Sequence, residues 1–174
     1  QYSRAHYFGL ISYLDAQLGR IINFLEKNNL AKDTLIVFTS DHGDNLGDHG
    51  LFFKTFPTEG SSHIPLLFWN PGTVPEKMKY EKPVGQEDIM PTICELAGIT
   101  APANIDGLSL AKLMTDPSAK HKPFVITQNN KGDGMMISTR NERYKYCFAR
   151  YESTEELYDM YDDPHEITNL ANNK

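Results

Sequence analysis

Between Ala5 and Asn28 the apolar side chains Leu10, Ile11, Leu14, Leu18, Ile21, Ile22 and Leu25 recur at helical spacing, which predicts a long amphipathic helix with one apolar stripe. Asn28 and Asn29 suit its end, because asparagine tolerates the left-handed backbone found at helix C-termini. Thr34-Leu35-Ile36-Val37-Phe38-Thr39 follows without alternation. Such a short, continuous β-branched and apolar run predicts a strand buried on both faces, as in a parallel sheet, and with the helix beside it makes half of an α/β unit. The stretch from Ser40 to Ser62 is polar and carries Gly43, Gly47, Gly50 and Gly60, whereas Ile64 to Trp69 predicts a second buried strand stopped by Asn70-Pro71-Gly72.

Asp88 to Leu96 predicts a second helix, with Ile89, Ile93 and Leu96 on one side and Gly98 just beyond its end. Pro91 fits only its first turn, where the missing N–H costs nothing. Asp106 to Met114 predicts a third, shorter helix. From Lys122 the character changes: Phe124–Thr127, Met135–Thr139 and Tyr144–Phe148 are short strand candidates, with Gly132-Asp133-Gly134 as a hairpin turn between the first two. Glu156 to Ala171, polar and aromatic, is expected to pack over the surface. Repeats and low-complexity linkers are absent, so the reading is an α/β part over residues 1–121 with a small antiparallel subdomain over residues 122–174.

The chain has 174 residues and a net charge of −6. At this length it is expected to bury roughly two-thirds of its unfolded surface, enough for a core without staples. Mild acidity argues against nucleic acid and anionic membranes, which call for a basic patch. No apolar run approaches the roughly 20 residues that cross a bilayer. The first residue is Gln1 and the chain opens directly in helical pattern, so a preceding portion is expected. Cys94 and Cys147 cannot make a disulfide framework and read as two buried thiols.

In open α/β sheets, ligands bind at the carboxyl ends of strands. The loop leaving the first strand reads Ser40-Asp41-His42-Gly43-Asp44-Asn45-Leu46-Gly47-Asp48-His49-Gly50. Carboxylates and imidazoles are metal ligands, and the glycines permit the turns that let them converge. Asp41 and His42 come first after the strand, where rigid backbone holds them. Asp44 and Asp48 read as turn residues or as partners supporting the ligands rather than as ligands themselves. Lys54, shortly after the loop, is a flexible point charge suited to an anionic oxygen.

The stretch TLIVFTSDHGDNLGDHGLFFK closely resembles the C-terminal signature of sulfatases in the alkaline phosphatase superfamily. YFGLISYLDAQLGRIINFLEKNNL before it, then HIPLLFWNPG, QEDIMPTICELAGITAP, DGLSL, RNERYKYCF and ELYDMYDDPHEITNLA resemble further family segments in the same order, across nearly the whole chain. The resemblance implies the C-terminal part of an alkaline-phosphatase-like sheet sandwiched by helices. It implies that Asp41 and His42, in the S-D-[NH]-G motif, bind a divalent cation, usually Ca2+, and that Lys54 contacts sulfate. His49, in the G-[DE]-H-G element, joins Lys54 as a candidate catalytic residue, with support of the loop its other role. His63 is a candidate for the substrate cleft, with an ordinary structural role as the other reading. Asp15 and Arg20 on the long helix read as a solvated or packing pair.

The family's nucleophile, a formylglycine in a C-x-P-S-R or S-x-P-S-R motif, has no counterpart here: neither Cys94 nor Cys147 is followed two residues later by proline. The resemblance therefore implies part of a sulfuric ester hydrolase, inactive by itself, whose partner is the remainder of the enzyme or a second copy through an exposed sheet. The sulfate ester itself stays open. Hydrolysis of phosphonate or phosphate monoesters and a non-catalytic structural or interaction domain stand as alternatives. Family habit places such enzymes in a periplasm, a lysosome or the exterior.

Overall fold

The computed structural model describes residues 2–54, 56–130 and 132–171; the outermost ends of the two expected parts lie outside them. Helix α1 runs Tyr2–Lys27, three residues earlier at its start than the periodicity indicated. Its end is built as expected. Asn29 adopts φ 57°, Leu30 N–H reaches back to Leu25 O at 2.8 Å, and Asn28 Nδ2 satisfies Phe24 O at 2.8 Å. No described residue of α1 is buried. On it, Arg20 donates to Gln17 Oε1 (2.6 Å) rather than pairing with Asp15.

After a single 3₁₀ turn at Ala31–Asp33, strand β1 (Ile36–Thr39) pairs with β2 (Leu66–Trp69) in register Ile36 to Trp69 and Thr39 to Leu66. The pairing is antiparallel, which corrects the expectation of a parallel sheet. Among the described residues the connection between them holds a 3₁₀ turn at Asp48–Gly50 and the one-turn helix α2 (Glu59–Ser62) but no long crossover helix, and the chain doubles back. Neither strand is fully buried either: among the described residues this sheet has two strands, and neither outer edge pairs with a third. Buried Asn70 closes the unit, its Nδ2 donating to Lys32 O (2.9 Å) and Thr34 O (3.0 Å) just before β1.

Helix α3 (Ile89–Leu96) follows a 3₁₀ turn at Gln86–Asp88, with Pro91 in its first turn. Asp88 is wholly buried and is a hub. It accepts Gly85 N–H (3.0 Å), Leu108 N–H (2.8 Å), His121 Nε2 (3.1 Å) and Lys122 Nζ (2.7 Å). These bonds explain why the next helix, α4 (Ala111–Thr115), is shorter than the Asp106–Met114 segment proposed from sequence. The N–H groups of Leu108 and Leu110 go to Asp88 and Thr92 instead of to a helix, and a β-carbon on Gly107 would lie 1.9 Å from Glu87 O.

The remaining chain forms a four-stranded antiparallel sheet of β3 (Val125–Asn129), β4 (Met136–Arg140), β5 (Tyr144–Ala149) and β6 (Thr154–Asp159), ordered as in sequence. Strand β6 corrects the reading of Glu156–Ala171 as a surface tail: its first part belongs to an edge strand paired with β5, and the residues after Asp159 return to bond to that strand. That later part is stitched down by Leu170 N–H on Leu157 O (2.7 Å) and Leu157 N–H on Asn169 Oδ1 (3.0 Å). Leu110, Leu113 and Met160 are buried apolar residues, yet the largest fully buried side chains are Lys145, Asn45, Thr92 and Asp88. Polar hubs thus tie the pieces together. Among the described residues no helix is long and apolar enough to cross a membrane.

Candidate functional site

Strand β1 delivers the chain to Ser40-Asp41-His42, where local hydrogen bonds fix the backbone. Asp41 Oδ1 accepts His42 N–H (2.9 Å), and Ser40 Oγ donates to His42 O (2.7 Å). Gln86, ahead of α3, reaches across to hold the carbonyls of Ser40 (2.8 Å) and Asp41 (3.2 Å) with its Nε2. The imidazole Nδ1 of His42 lies 2.8 Å from Gly43 O. A carbonyl only accepts, so Nδ1 carries the hydrogen and Nε2 presents its lone pair. That lone pair faces Lys54 Nζ at 2.5 Å, and Asp41 Oδ2 lies 3.4 Å from the same Nε2. Carboxylate, imidazole and ammonium therefore meet at one point.

Asp41 remains solvent-exposed. Desolvation pulls its carboxyl upward, but the His42 N–H, the His42 ring and Lys54 outweigh it and hold the group below the ordinary carboxylate value. Beyond His42 the loop is pinned to α2: Gly43 N–H donates to Ser61 O (2.7 Å), and Ser61 Oγ donates to Lys54 O (3.3 Å). Asn45, 1% exposed, spans the loop by giving Nδ2 to Phe53 O (2.7 Å) and accepting Thr58 Oγ1 (2.5 Å). Asp44 turns the chain by accepting Leu46 and Phe53 N–H groups, while Asp48 is ion-paired with Arg4 of α1. Both aspartates thus serve the loop.

Asp41, His42, Lys54 and His63 line one cleft of about 970 Å³, together with Glu59 and Gln86. The His63 side chain is 78% exposed, with Nδ1 3.3 Å from Glu59 Oε2. Its hydrogen bond to that carboxylate is the main influence raising its pKa above 6.5. His49 does not line the cleft. At φ 54° its backbone turns the ring toward the C-terminal segment, with Nε2 4.0 Å from Glu166 Oε2. The arrangement brings Asp41, His42 and Lys54 together, puts His63 on the same wall and leaves His49 behind.

Sequence reasoning missed Gln86 and a buried ionic cluster in the wall of the cleft. Lys145 Nζ, on β5, contacts Glu59 Oε1 (3.1 Å), Glu166 Oε1 (2.8 Å) and Ser62 Oγ (3.4 Å), and its side chain is 1% exposed. A lysine at alternate positions with Cys147 on a strand was the one available signal. As for a metal, Asp41 Oδ2 and His42 Nε2 are close enough to share one cation, and the Lys54 ammonium already sits on the imidazole lone pair. Two donors fit part of a shell: among the described residues no three His, Cys, Asp or Glu side chains gather into a metal site.

The mixed α/β fold is shared with solved structures of alkaline-phosphatase-like fold. The phosphonate monoester hydrolase of Agrobacterium radiobacter superimposes with a TM-score of 0.86 at 30% identity, covering 97% of this chain and 37% of that one. The family model Sulfatase matches residues 1–99, and the chain belongs to the sulfatase family. It is 36% identical to a choline-sulfatase of Rhizobium meliloti over 98% of its length and 33% of the relative's. It is 30% identical to an arylsulfatase of Clostridium perfringens over 99% of its length and 36% of the relative's. The chain thus spans about a third of the length of the curated relatives it matches.

Proposed function

We propose that this chain is the part of a sulfuric ester hydrolase that carries one side of the metal and sulfate site. The observation that carries the reading is the convergence of Asp41 Oδ2, His42 Nε2 and Lys54 Nζ at the cleft. Lys54 is the cation toward a sulfuryl oxygen, where it opposes the negative charge that grows as the ester bond breaks. The Gly43 carbonyl holds the His42 ring in one tautomer, and Gln86 holds the backbone on which Asp41 and His42 stand. These two would ligate a divalent cation, Ca2+ by family likeness, which supplies Lewis-acid polarisation when bound. Protonation of the departing alcohol calls for a general acid, and Lys54 and His63 are the cleft's candidates.

Calcium takes six to eight oxygen-rich ligands, so two donors do not close a site and the chain is not catalytic by itself. The formylglycine and the rest of the shell belong to the remaining two-thirds of the length seen in relatives. In the intact enzyme, Lys54→Ala is expected to slow aryl sulfate hydrolysis roughly 100- to 1,000-fold; unchanged turnover overturns the assignment. Calorimetric titration of this chain with Ca2+ is expected to show weak binding, and tight stoichiometric binding contradicts the divided shell. A second reading, phosphonate monoester hydrolysis, draws on the likeness to the Agrobacterium enzyme. Relative kcat/KM on paired aryl sulfate and aryl phosphonate substrates separates the two.

A further inference from the structure

The ionic cluster in the wall of the cleft joins three stretches far apart in sequence. Glu59 comes from α2, Lys145 from β5 and Glu166 from the segment after β6. Glu166 Oε2 accepts Glu59 N–H (2.8 Å), while its Oε1 holds the Lys145 ammonium. Arg140, the cross-strand partner of Lys145, stands 3.8 Å from Glu59 Oε1. Two cations side by side on adjacent strands repel unless an anion joins them, and Glu59 is that anion. Side-chain exposures of 1% for Lys145 and 4% for Glu166 put the contact out of water, where such charges persist only when paired.

What this cluster grips is the one-turn helix that touches the site on two sides. Ser61 of α2 accepts the N–H of Gly43, next to His42, with its carbonyl, and donates its hydroxyl to the carbonyl of Lys54. Asn129, at the end of β3, donates to the same Lys54 carbonyl at 3.3 Å. The second oxygen of Glu59 holds His63.

We infer that Lys145 is a positioning residue for sulfate ester hydrolysis: pinned between Glu59 and Glu166, it fixes α2, and through Ser61 it sets Lys54 against His42. The four-stranded sheet is then a brace for the anion-binding lysine, and the inference rests on the proposed role of Lys54. Lys145 stands in the lining of the cleft, but its bonds run to Glu59, Ser62 and Glu166 and to none of the proposed metal ligands, so it acts through α2.

The test is a mutant cycle in the full-length enzyme on an aryl sulfate, with rates normalised to folded protein. Lys145→Met is expected to lower kcat roughly tenfold or more with KM within about threefold, since displacing a catalytic group by an ångström costs up to about a hundredfold. Lys145→Arg is expected to restore most of the loss. In a Lys54→Ala background, Lys145→Met is expected to change kcat by less than about twofold, because the two residues act through one contact. An unchanged kcat in the single variant, or the same fall in both backgrounds, overturns the brace. Should Lys145→Met not fold, Glu166→Gln, which keeps the Lys145–Glu59 pair, carries the same cycle, with a fall of roughly threefold or more that vanishes without Lys54. Full activity in Lys54→Ala overturns the reading of Lys54 and the brace with it. A slow Lys54→Ala with additive losses overturns the brace alone.

Discussion

Gly43 separates the imidazole of His42 from α2, and a β-carbon there would lie 2.1 Å from Gly60 O. Backbone cannot yield as a flexible side chain does, so Gly43→Ala must push the loop off α2 and break its 2.7 Å bond to Ser61 O. The expected cost is about 1–3 kcal/mol in denaturant unfolding, with a fall in turnover of the intact enzyme. Cys147 shows the opposite kind of residue: expected to be buried, as was Cys94, it is half-buried in the structure and without chemistry to do. Burial, with Glu156, Glu166 and Glu59 adding to it against Lys145, pushes its thiol up to about 12. Iodoacetamide at pH 8 is therefore expected to leave Cys147 unmodified in the native chain and to label it after unfolding, as read by peptide mapping. Asp41, His42 and Lys54 were legible as residues because their chemistry and closeness in sequence are local. Gln86 was not, because its hydrogen bonds run to carbonyls more than forty positions away, which any residue would offer.

Elements in this chain are held by side chains that cross between them. Thr92 of α3 is fully buried, donates to Asp88 O (2.5 Å) and accepts Leu110 N–H (2.8 Å) ahead of α4. Thr92→Val keeps the shape and removes both bonds, leaving a buried N–H unpaired. A loss of about 1–3 kcal/mol in urea unfolding is expected, and a loss below half a kcal/mol would show that water replaces the hydroxyl. Three of the four α-helices and five of the six strands were visible in hydrophobic spacing, within a few residues at most ends, whereas the one-turn α2 lies in the polar stretch from Ser40 to Ser62 and was not. Strand direction was not, because β1 and β2 are continuous apolar runs, and such runs carry no mark of parallel or antiparallel pairing. Strand β6 escaped because Thr154-Glu155-Glu156 is wholly polar, its place set by hydrogen bonds to β5 rather than by burial. The short α4 was overrun because the N–H groups of Leu108 and Leu110 are claimed by residues some twenty positions earlier.

Across the whole molecule the small sheet meets the α/β part through charge, and that contact responds to pH. Burial alone would raise the Glu59 carboxyl, but His63, Lys145 and Arg140 together bring it down from 4.5 to about 2. Between those values the unfolded chain takes up a proton that the native chain refuses, so stability is full above about pH 4.5 and falls as the pH drops toward 2. His63 runs the other way. Its folded pKa is raised, so its contribution is full below 6.5 and fades as the pH rises through the higher folded value. The ion pair is thus expected to be strongest between roughly pH 4.5 and 6.5. In Glu59→Gln the acid-side loss is expected to shrink, and an unchanged acid limb in urea unfolding from pH 5 to 2 would show that other carboxylates carry it. No local pattern in the sequence announces that residues 59, 145 and 166 meet; only the assembled fold does. The same scale governs α1, where Phe8, Leu10, Ile11, Leu14, Ile21 and Phe24 all remain exposed in this chain. An apolar stripe of this extent exceeds what a monomer ordinarily shows to water. The remaining two-thirds of the length found in relatives is the proposed cover, and without it copies of the chain are expected to associate through α1. Light scattering on the chain expressed alone should then report dimers or larger species, with Leu14→Lys and Ile21→Lys together shifting it toward monomer. A monodisperse monomer in the unsubstituted chain would mean that the stripe packs against its own sheet in solution.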